Sequence, residues 1–316
     1  MQTVIESALI IAYARPKNLK PLIESLQNGG IRELFISIDG PANLTIARLQ
    51  EDMIREIRSN SYPDLKITIR QNDTNLGVAK GVLTAIDWFF QHNQAGLILE
   101  DDIAISKNIF PYLNWALNEL PNLPNCLFVG SFVVNKFRSE SNTPFLCQYP
   151  MIWGWATNRQ NWKTMREMIT APKNFIRDLF LNKELQFWYV GARRAQMGTI
   201  DTWDLPLAYE FKLREYTCIL PGKSLITNIG FDEVAVHTKT PPNELIGNDM
   251  TIEPLDFTHN TITLCRDLEY EHLFSKKVYG ISILNFFSIY KFWIHRTFYH
   301  LRQLWKSGFA NFGINQ

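Results

Sequence analysis

The chain has 316 residues, of which 46% are hydrophobic and 20% charged, enough apolar material for a large core and too much for a disordered chain. Its 32 basic and 31 acidic residues leave a net charge of +1, which excludes the basic excess of a nucleic-acid-binding protein. Cysteines stand at 126, 147, 218 and 265 with no CxxC pair, so a zinc site is not expected and a reducing compartment is.

The first residues, MQTVIESALI, lack a basic n-region, and their apolar run is too short for a signal peptide. Short apolar runs at 8–12, 34–38, 66–69 and 96–99 then alternate with segments of helical spacing at 18–26, 47–57 and 78–90. This alternation predicts an α/β fold, a mostly parallel central sheet with helices on both faces. Ligands in such sheets bind beyond the carboxyl ends of the strands. Four polar segments fall there and are expected to share one rim: 13–16, 39–41, 72–77 and 100–102.

Farther along, a helix is predicted between Pro111 and Pro121, a strand at 126–130, helices at 160–168 and 205–216, and short strands at 218–220 and 224–226. Trp153-Gly154-Trp155 opens an aromatic patch. No acidic residue follows Glu271, whereas Lys276, Lys277, Lys291, Arg296, Arg302 and Lys306 interleave with aromatics such as Phe286, Tyr290 and Trp293. That pattern predicts one or two amphipathic helices. They either adsorb to an anionic membrane surface or pack an aromatic face on the main domain, and the length of the acid-free stretch favours the membrane. The division is therefore a domain over 1–255 and a helical, basic-aromatic extension over 256–316. No run of about 18 apolar residues is present, so no spanning helix is expected.

The triplet Glu100-Asp101-Asp102 ends the fourth apolar run. A hard cation takes oxygen ligands, commonly one or two carboxylates with phosphate oxygens and water. Such a cation can hold a diphosphate. Three acids exceed its needs, so one is expected on the metal and the others on water, ribose or sugar hydroxyls. The bland alternative is a solvated turn with a helix cap. Arg15, after the first strand, offers a bidentate contact to phosphate, or is a surface arginine beside a proline turn. No G-x-G-x-x-G follows that strand and no Walker A sequence occurs, which counts against a dinucleotide cofactor. Asp39 accepts from a base N–H or a ribose hydroxyl, or simply starts an Asp-Gly-Pro turn. Asn75-Leu76-Gly77 brings backbone close to a ligand, or only begins a helix. Asp204 is a candidate general base or an N-cap, and Asp201 competes for either role. His237 is a candidate Mn²⁺ ligand or a donor to a phosphate, although a lone histidine is more often structural.

In this order the pieces resemble the GT-A glycosyltransferases, above all the N-acetylglucosaminyltransferase I family and its bacterial relatives. Residues 8–15, ALIIAYAR, look like that family's first strand with its phosphate-contacting arginine, here Arg15. Residues 36–40 look like the segment with its uridine-contacting acid, here Asp39. Residues 97–102, LILEDD, look like the EDD version of the DXD motif, whose last carboxylate, here Asp102, ligates Mn²⁺. Gly154-Trp155 followed by Trp162 is similar to the G-W…W segment near the acceptor. Trp203-Asp204 is similar to the W-D segment that bears the base, although W-D-D-W reads Trp203-Asp204-Leu205-Pro206 here.

The resemblance implies a GT-A (nucleotide-diphospho-sugar transferase) fold and a metal-dependent, inverting hexosyltransferase. It would move a sugar from a nucleotide-diphosphate donor, a UDP-sugar, to a hydroxyl of a carbohydrate or lipid-linked acceptor. Asp204 is then the base. Tyr13, Arg15, Asp39, Asn75, Gly77, Glu100 and Asp101 bind donor, and Trp153, Gly154 and Trp155 bind acceptor. Asp102 and His237 hold Mn²⁺ or Mg²⁺. The expected location is cytoplasmic, peripheral at the inner face of the membrane, with no nucleic-acid partner. A nucleotidyltransferase acting on a sugar phosphate is the second reading, disfavoured because 13–17 offers no glycine to hold a triphosphate. A non-catalytic nucleotide- or carbohydrate-binding relative is the third.

Overall fold

A computed structural model describes residues 4–138, 142–172, 182–230, 248, 250–251 and 262–281. The amino-terminal part is β1 (Ser7–Ala12), α1 (Pro16–Asn28), β2 (Glu33–Ile38), α2 (Leu44–Ser59), β3 (Lys66–Gln71), α3 (Gly77–His92) and β4 (Ala95–Glu100). The four strands are parallel. β1, β2 and β4 bury consecutive residues, which requires cover on both faces of the sheet. α1 supplies part of it with Leu19, Leu22, Ile23 and Leu26, one stripe of a 3.6-residue period. α3 supplies Val82, Ala85, Ile86, Phe89 and Phe90.

The second half adds β5 (Ile103–Ile105), α4 (Ile109–Glu119), β6 (Cys126–Gly130), β7 (Phe145–Cys147), β8 (Trp155–Asn158), α5 (Arg159–Thr170), α6 (Lys183–Gln196), α7 (Asp204–Arg214), β9 (Thr217–Leu220), β10 (Ile226–Asn228) and α8 (Leu268–Lys277). The eight-stranded sheet runs β3-β2-β1-β4-β8-β6-β9-β7, with β8 and β7 antiparallel to their neighbours. β5 and β10 form a separate antiparallel ribbon.

The strand order positions the site. From β1 the chain builds outward through β2 to β3, then returns to lay β4 on the other side of β1. The carboxyl ends of β1 and β4 therefore flank the topological switch point, where an open α/β sheet leaves its ligand crevice. Ile11 pairs with Glu100, so 12–15 and 100–102 leave the sheet side by side.

Several elements differ from the sequence expectation. The helix expected after Pro111 begins at Ile109, because proline is tolerated in a first turn whose N–H groups have no intrahelical partner. The strand expected at 224–226 begins at Ile226; Ser224 is held by the Asn135 side chain and turns its hydroxyl onto the Ile226 carbonyl. α8 packs inward: Tyr270 and Phe274 belong to the core that includes β7 and α6. No helix among the described residues is long and apolar enough to cross a membrane. The rest of the basic-aromatic stretch, 282–316, lies outside the described residues.

Candidate active site

A cleft of about 630 Å³ opens over the carboxyl ends of β1, β2 and β4, a size suited to a small organic ligand. Its described walls carry six acids, Asp39, Glu100, Asp101, Asp102, Asp201 and Asp204, and one basic residue, Arg15. Tyr13, Asn75, Gly77 and Trp153 also line it, so most of the residues singled out in the sequence meet here.

Three successive acids at the end of β4 do three different things. Asp101 is 3% exposed and stitches β4 to β1. Its Oδ2 accepts from the Tyr13 amide at 2.8 Å and its Oδ1 from Arg15 Nη1 at 3.2 Å. Burial raises its pKa, and the Tyr13 N–H and the Arg15 guanidinium oppose that rise. Asp102 lies 3.3 Å from Arg15 Nη1 and keeps 14% of its side chain exposed. Arg15 also donates through Nη2 to the Gly230 carbonyl at 3.2 Å. Gly230 must lack a side chain, since a Cβ there would stand 2.2 Å from Asp102 Oδ2. Glu100 is pushed up to about 8, first by burial and then by Asp102, Asp101 and Asp204, with Arg15 pulling the other way. The described walls thus carry more carboxylate than their guanidinium offsets.

Asp39 is placed on the rim as expected, but its carboxylate is occupied by the chain. Its oxygens accept from the amides of Gly40, Leu76 and Gly77 and from Asn72 Nδ2, at 2.9 to 3.1 Å. Buried Gln50 donates to the carbonyls of Tyr13 and Asp39, tying β1 to β2. Asn75 Nδ2 donates to the Tyr13 hydroxyl and the Gly40 carbonyl. These bonds tie the Tyr13, Asp39-Gly40 and Asn75–Gly77 segments together as one rim of the cleft.

The opposite rim is the α6–α7 loop. Trp203 is buried and stacks on Trp155, with ring centroids 6.2 Å apart. Asp204 sits in the first turn of α7, where Trp203 takes the cap position without a side-chain bond. Asp204 is therefore not the N-cap. Its Oδ1 accepts from the Thr202 hydroxyl, and Oδ2 has no hydrogen-bond partner among the described residues. Asp201 uses both oxygens on the Val78 and Ala79 amides, at 2.7 and 2.9 Å.

Two of the three expected acceptor residues lie elsewhere. Trp155 is 1% exposed in β8, flanked by Phe128, Trp162 and Trp203, so its ring belongs to the core and faces no ligand. Gly154 is not among the described lining residues; its carbonyl accepts from the Ser131 amide. Trp153 does face the cleft, edge-on to Phe132. His237 lies outside the described residues. Sequence reasoning missed Phe132, Asn228 and Gly230, and also Phe274, Val278 and Tyr279 of the α8 region, all on the cleft wall. The acid-free, aromatic character of the chain beyond Glu271 was the available signal for the last of these.

No protein-family model and no curated protein matches the chain. Similar solved structures include UDP-glucose pyrophosphorylase complexed with UDP-glucose, at 9% identity over 69% of this chain and 90% of that one, with a TM-score of 0.36. A putative glucose-1-phosphate thymidylyltransferase from Bacillus anthracis, in complex with a sucrose, is 12% identical over 71% of this chain and 89% of that one, at 0.37. The apo-form glycosyltransferase GlyE of Streptococcus pneumoniae TIGR4 is 11% identical at 0.25; the match takes in 74% of this chain and 57% of GlyE. At such scores none of them bears on what this chain does.

Proposed function

We propose that the chain is a metal-dependent, inverting glycosyltransferase of the GT-A type, taking a sugar from a nucleotide-diphosphate donor, a UDP-sugar, to a hydroxyl acceptor. The observation that carries this reading is the acid content of the cleft, six carboxyl groups against one arginine among its described walls, where burial and the neighbouring acids push Glu100 toward its protonated form. A diphosphate is repelled from such walls unless a cation enters with it. Asp102 would hold that cation, with Glu100 beside it. His237 is the further ligand suggested by the sequence.

Among the described residues no three Asp, Glu, His or Cys side chains form a metal cage. This suits Mg²⁺ or Mn²⁺ in a substrate complex, where one or two carboxylates are completed by phosphate oxygens and water. A cation held by Asp102 would supply positive charge to offset that developing on the departing diphosphate. Arg15, on the same cleft wall, would assist it. Asp204, through Oδ2, accepts the proton of the acceptor hydroxyl. The acceptor oxygen bonds to the anomeric carbon as the carbon–oxygen bond to the diphosphate breaks on the opposite face, which inverts that centre. Asp201 is the weaker candidate base because both its oxygens accept main-chain N–H groups. Trp153 and Tyr279, the more exposed aromatic residues of the wall, would contact sugar rings.

Calorimetry with UDP, with and without Mn²⁺, followed by product analysis over a panel of UDP-sugars, tests the proposal. The expected result is UDP binding that requires the metal, and one donor that releases UDP and gives a product of inverted anomeric configuration. Metal-independent binding, or none, overturns it. Pyrophosphate released from UTP and a sugar phosphate would establish nucleotidyl transfer instead.

A further inference from the structure

We infer that Asp201 is a positioning residue that clamps the base-bearing rim to the donor-side rim; this rests on the glycosyltransferase reading. An α-helix begins with four backbone N–H groups that have no partner inside the helix. In α3 these belong to Leu76, Gly77, Val78 and Ala79, and the Leu76 side chain caps none of them. Two aspartates from distant parts of the chain take all four. Asp39, at the end of β2, accepts from Leu76 and Gly77. Asp201, in the α6–α7 loop, accepts from Val78 and Ala79. Both carboxylates also face the positive end of the helix dipole. The start of α3 is thus a joint between the two sides of the cleft, and it is filled by side chains rather than left open to a phosphate.

The consequence falls on Asp204. Trp203 anchors the loop in the core by stacking on Trp155. A segment held at one residue can pivot about it, and a second anchor two residues earlier removes the pivot. Thr202 lies between the two anchors, and its hydroxyl orients the Asp204 carboxylate. Releasing Asp201 leaves Thr202 tethered on one side only, so Asp204 loses its single rotamer and the cleft its fixed width.

Asp201→Asn keeps the shape, offers one acceptor oxygen and turns an amide NH₂ toward one of the two N–H donors. The expected result is a fall in kcat of about 10- to 100-fold, expressed per UDP-binding site counted by calorimetry. The donor KM should stay within about twofold, and amide exchange at Val78 and Ala79 should rise about tenfold. Asp201→Glu, which retains both oxygens, should recover part of the lost kcat. It also serves as the test variant if Asp201→Asn does not fold, with a smaller loss expected. A folded variant whose kcat per site equals wild type overturns the clamp, even if the two amides exchange faster. A wild-type protein that transfers no sugar fails the glycosyltransferase reading, and the exchange at Val78 and Ala79 then still reports whether Asp201 holds α3.

Discussion

Two clusters of titratable side chains among the described residues are built on opposite plans. Behind α6, α7 and α8, Lys212 Nζ sits 2.9 Å from Glu184 and 3.7 Å from Glu271, over the ring of Tyr149. Arg266 pairs with Glu271 through two bonds of 2.9 and 2.6 Å, and Glu271 also accepts the Gln148 amide. Two cations meet two anions there. At the ends of β1 and β4, Asp101 and Asp102 pair with Arg15 beside Glu100, and burial together with Asp102, Asp101 and Asp204 drives Glu100 toward the protonated form. A buried charge is tolerated when it is paired and hydrogen-bonded. The first cluster meets that condition within the chain and serves the fold. The second leaves a surplus of carboxylate in a cleft, where perturbed acids mark a candidate site.

The sharpest way to break the comparison is to remove a charge from the balanced cluster. Glu271→Ala strips Arg266, itself 36% exposed, of its bidentate partner, and leaves the largely buried Lys212 side chain without its second carboxylate. Breaking a buried pair on one side costs about 3–5 kcal/mol. Urea unfolding should register that loss. If Glu271→Ala unfolds like wild type, the balanced cluster does not serve the fold.

The same operation on the surplus cluster should act in the other direction. Asp102→Ala removes a like charge from beside Glu100 and Asp101, so in metal-free buffer the protein should unfold at the same temperature as wild type or higher. Turnover should fall by about 100-fold or more, the scale of a lost electrostatic group of about 3 kcal/mol in a transition state. Activity near wild type in the folded variant would remove Asp102 from the metal site.

The contrast also explains which parts of the molecule were legible in the sequence. β1, β2 and β4 are parallel and buried on both faces, so each is a nearly unbroken apolar run, whereas edge strand β3 shows only Ile67 and Ile69 in alternation, and the helices between the strands repeat at 3.6 residues. β6 is recovered with its observed bounds for the same reason. β5 and β7 have three residues each and β8 four, too few to show a period. Trp155 is expected near an acceptor only from the G-W…W motif it resembles; its burial follows from the place of β8 between β4 and β6, which only the strand order reveals. The acid triplet was legible because position after a strand is local information. The partners of Asp201 were not, since Val78 and Ala79 lie more than a hundred residues away.

The smallest expected effect separates the two plans most finely, because a single hydroxyl of similar kind exists in each. Thr202 donates to Asp204 in the surplus cluster, and Tyr149 donates to Glu184 in the balanced one. Thr202→Val preserves the shape and branching of the side chain and deletes only the donor. Asp204 stands at an open cleft, so water can replace the lost bond and stability should not change. The orientation of the carboxylate is lost, which at about 1 kcal/mol corresponds to roughly a fivefold fall in kcat with the donor KM unaltered. Tyr149→Phe deletes a hydroxyl whose residue is 2% exposed and whose bond to Glu184 helps hold α6 to the core, while Glu184, 30% exposed, keeps Lys212. It should lower unfolding stability by about 1 kcal/mol and leave turnover per folded molecule as it was. Parallel kinetics and denaturation on the two variants read this crossing directly. If both hydroxyls affect stability, or both affect turnover, the surplus cluster and the balanced one are not different kinds of region, and the argument from uncompensated charge to a cation-assisted site loses its basis.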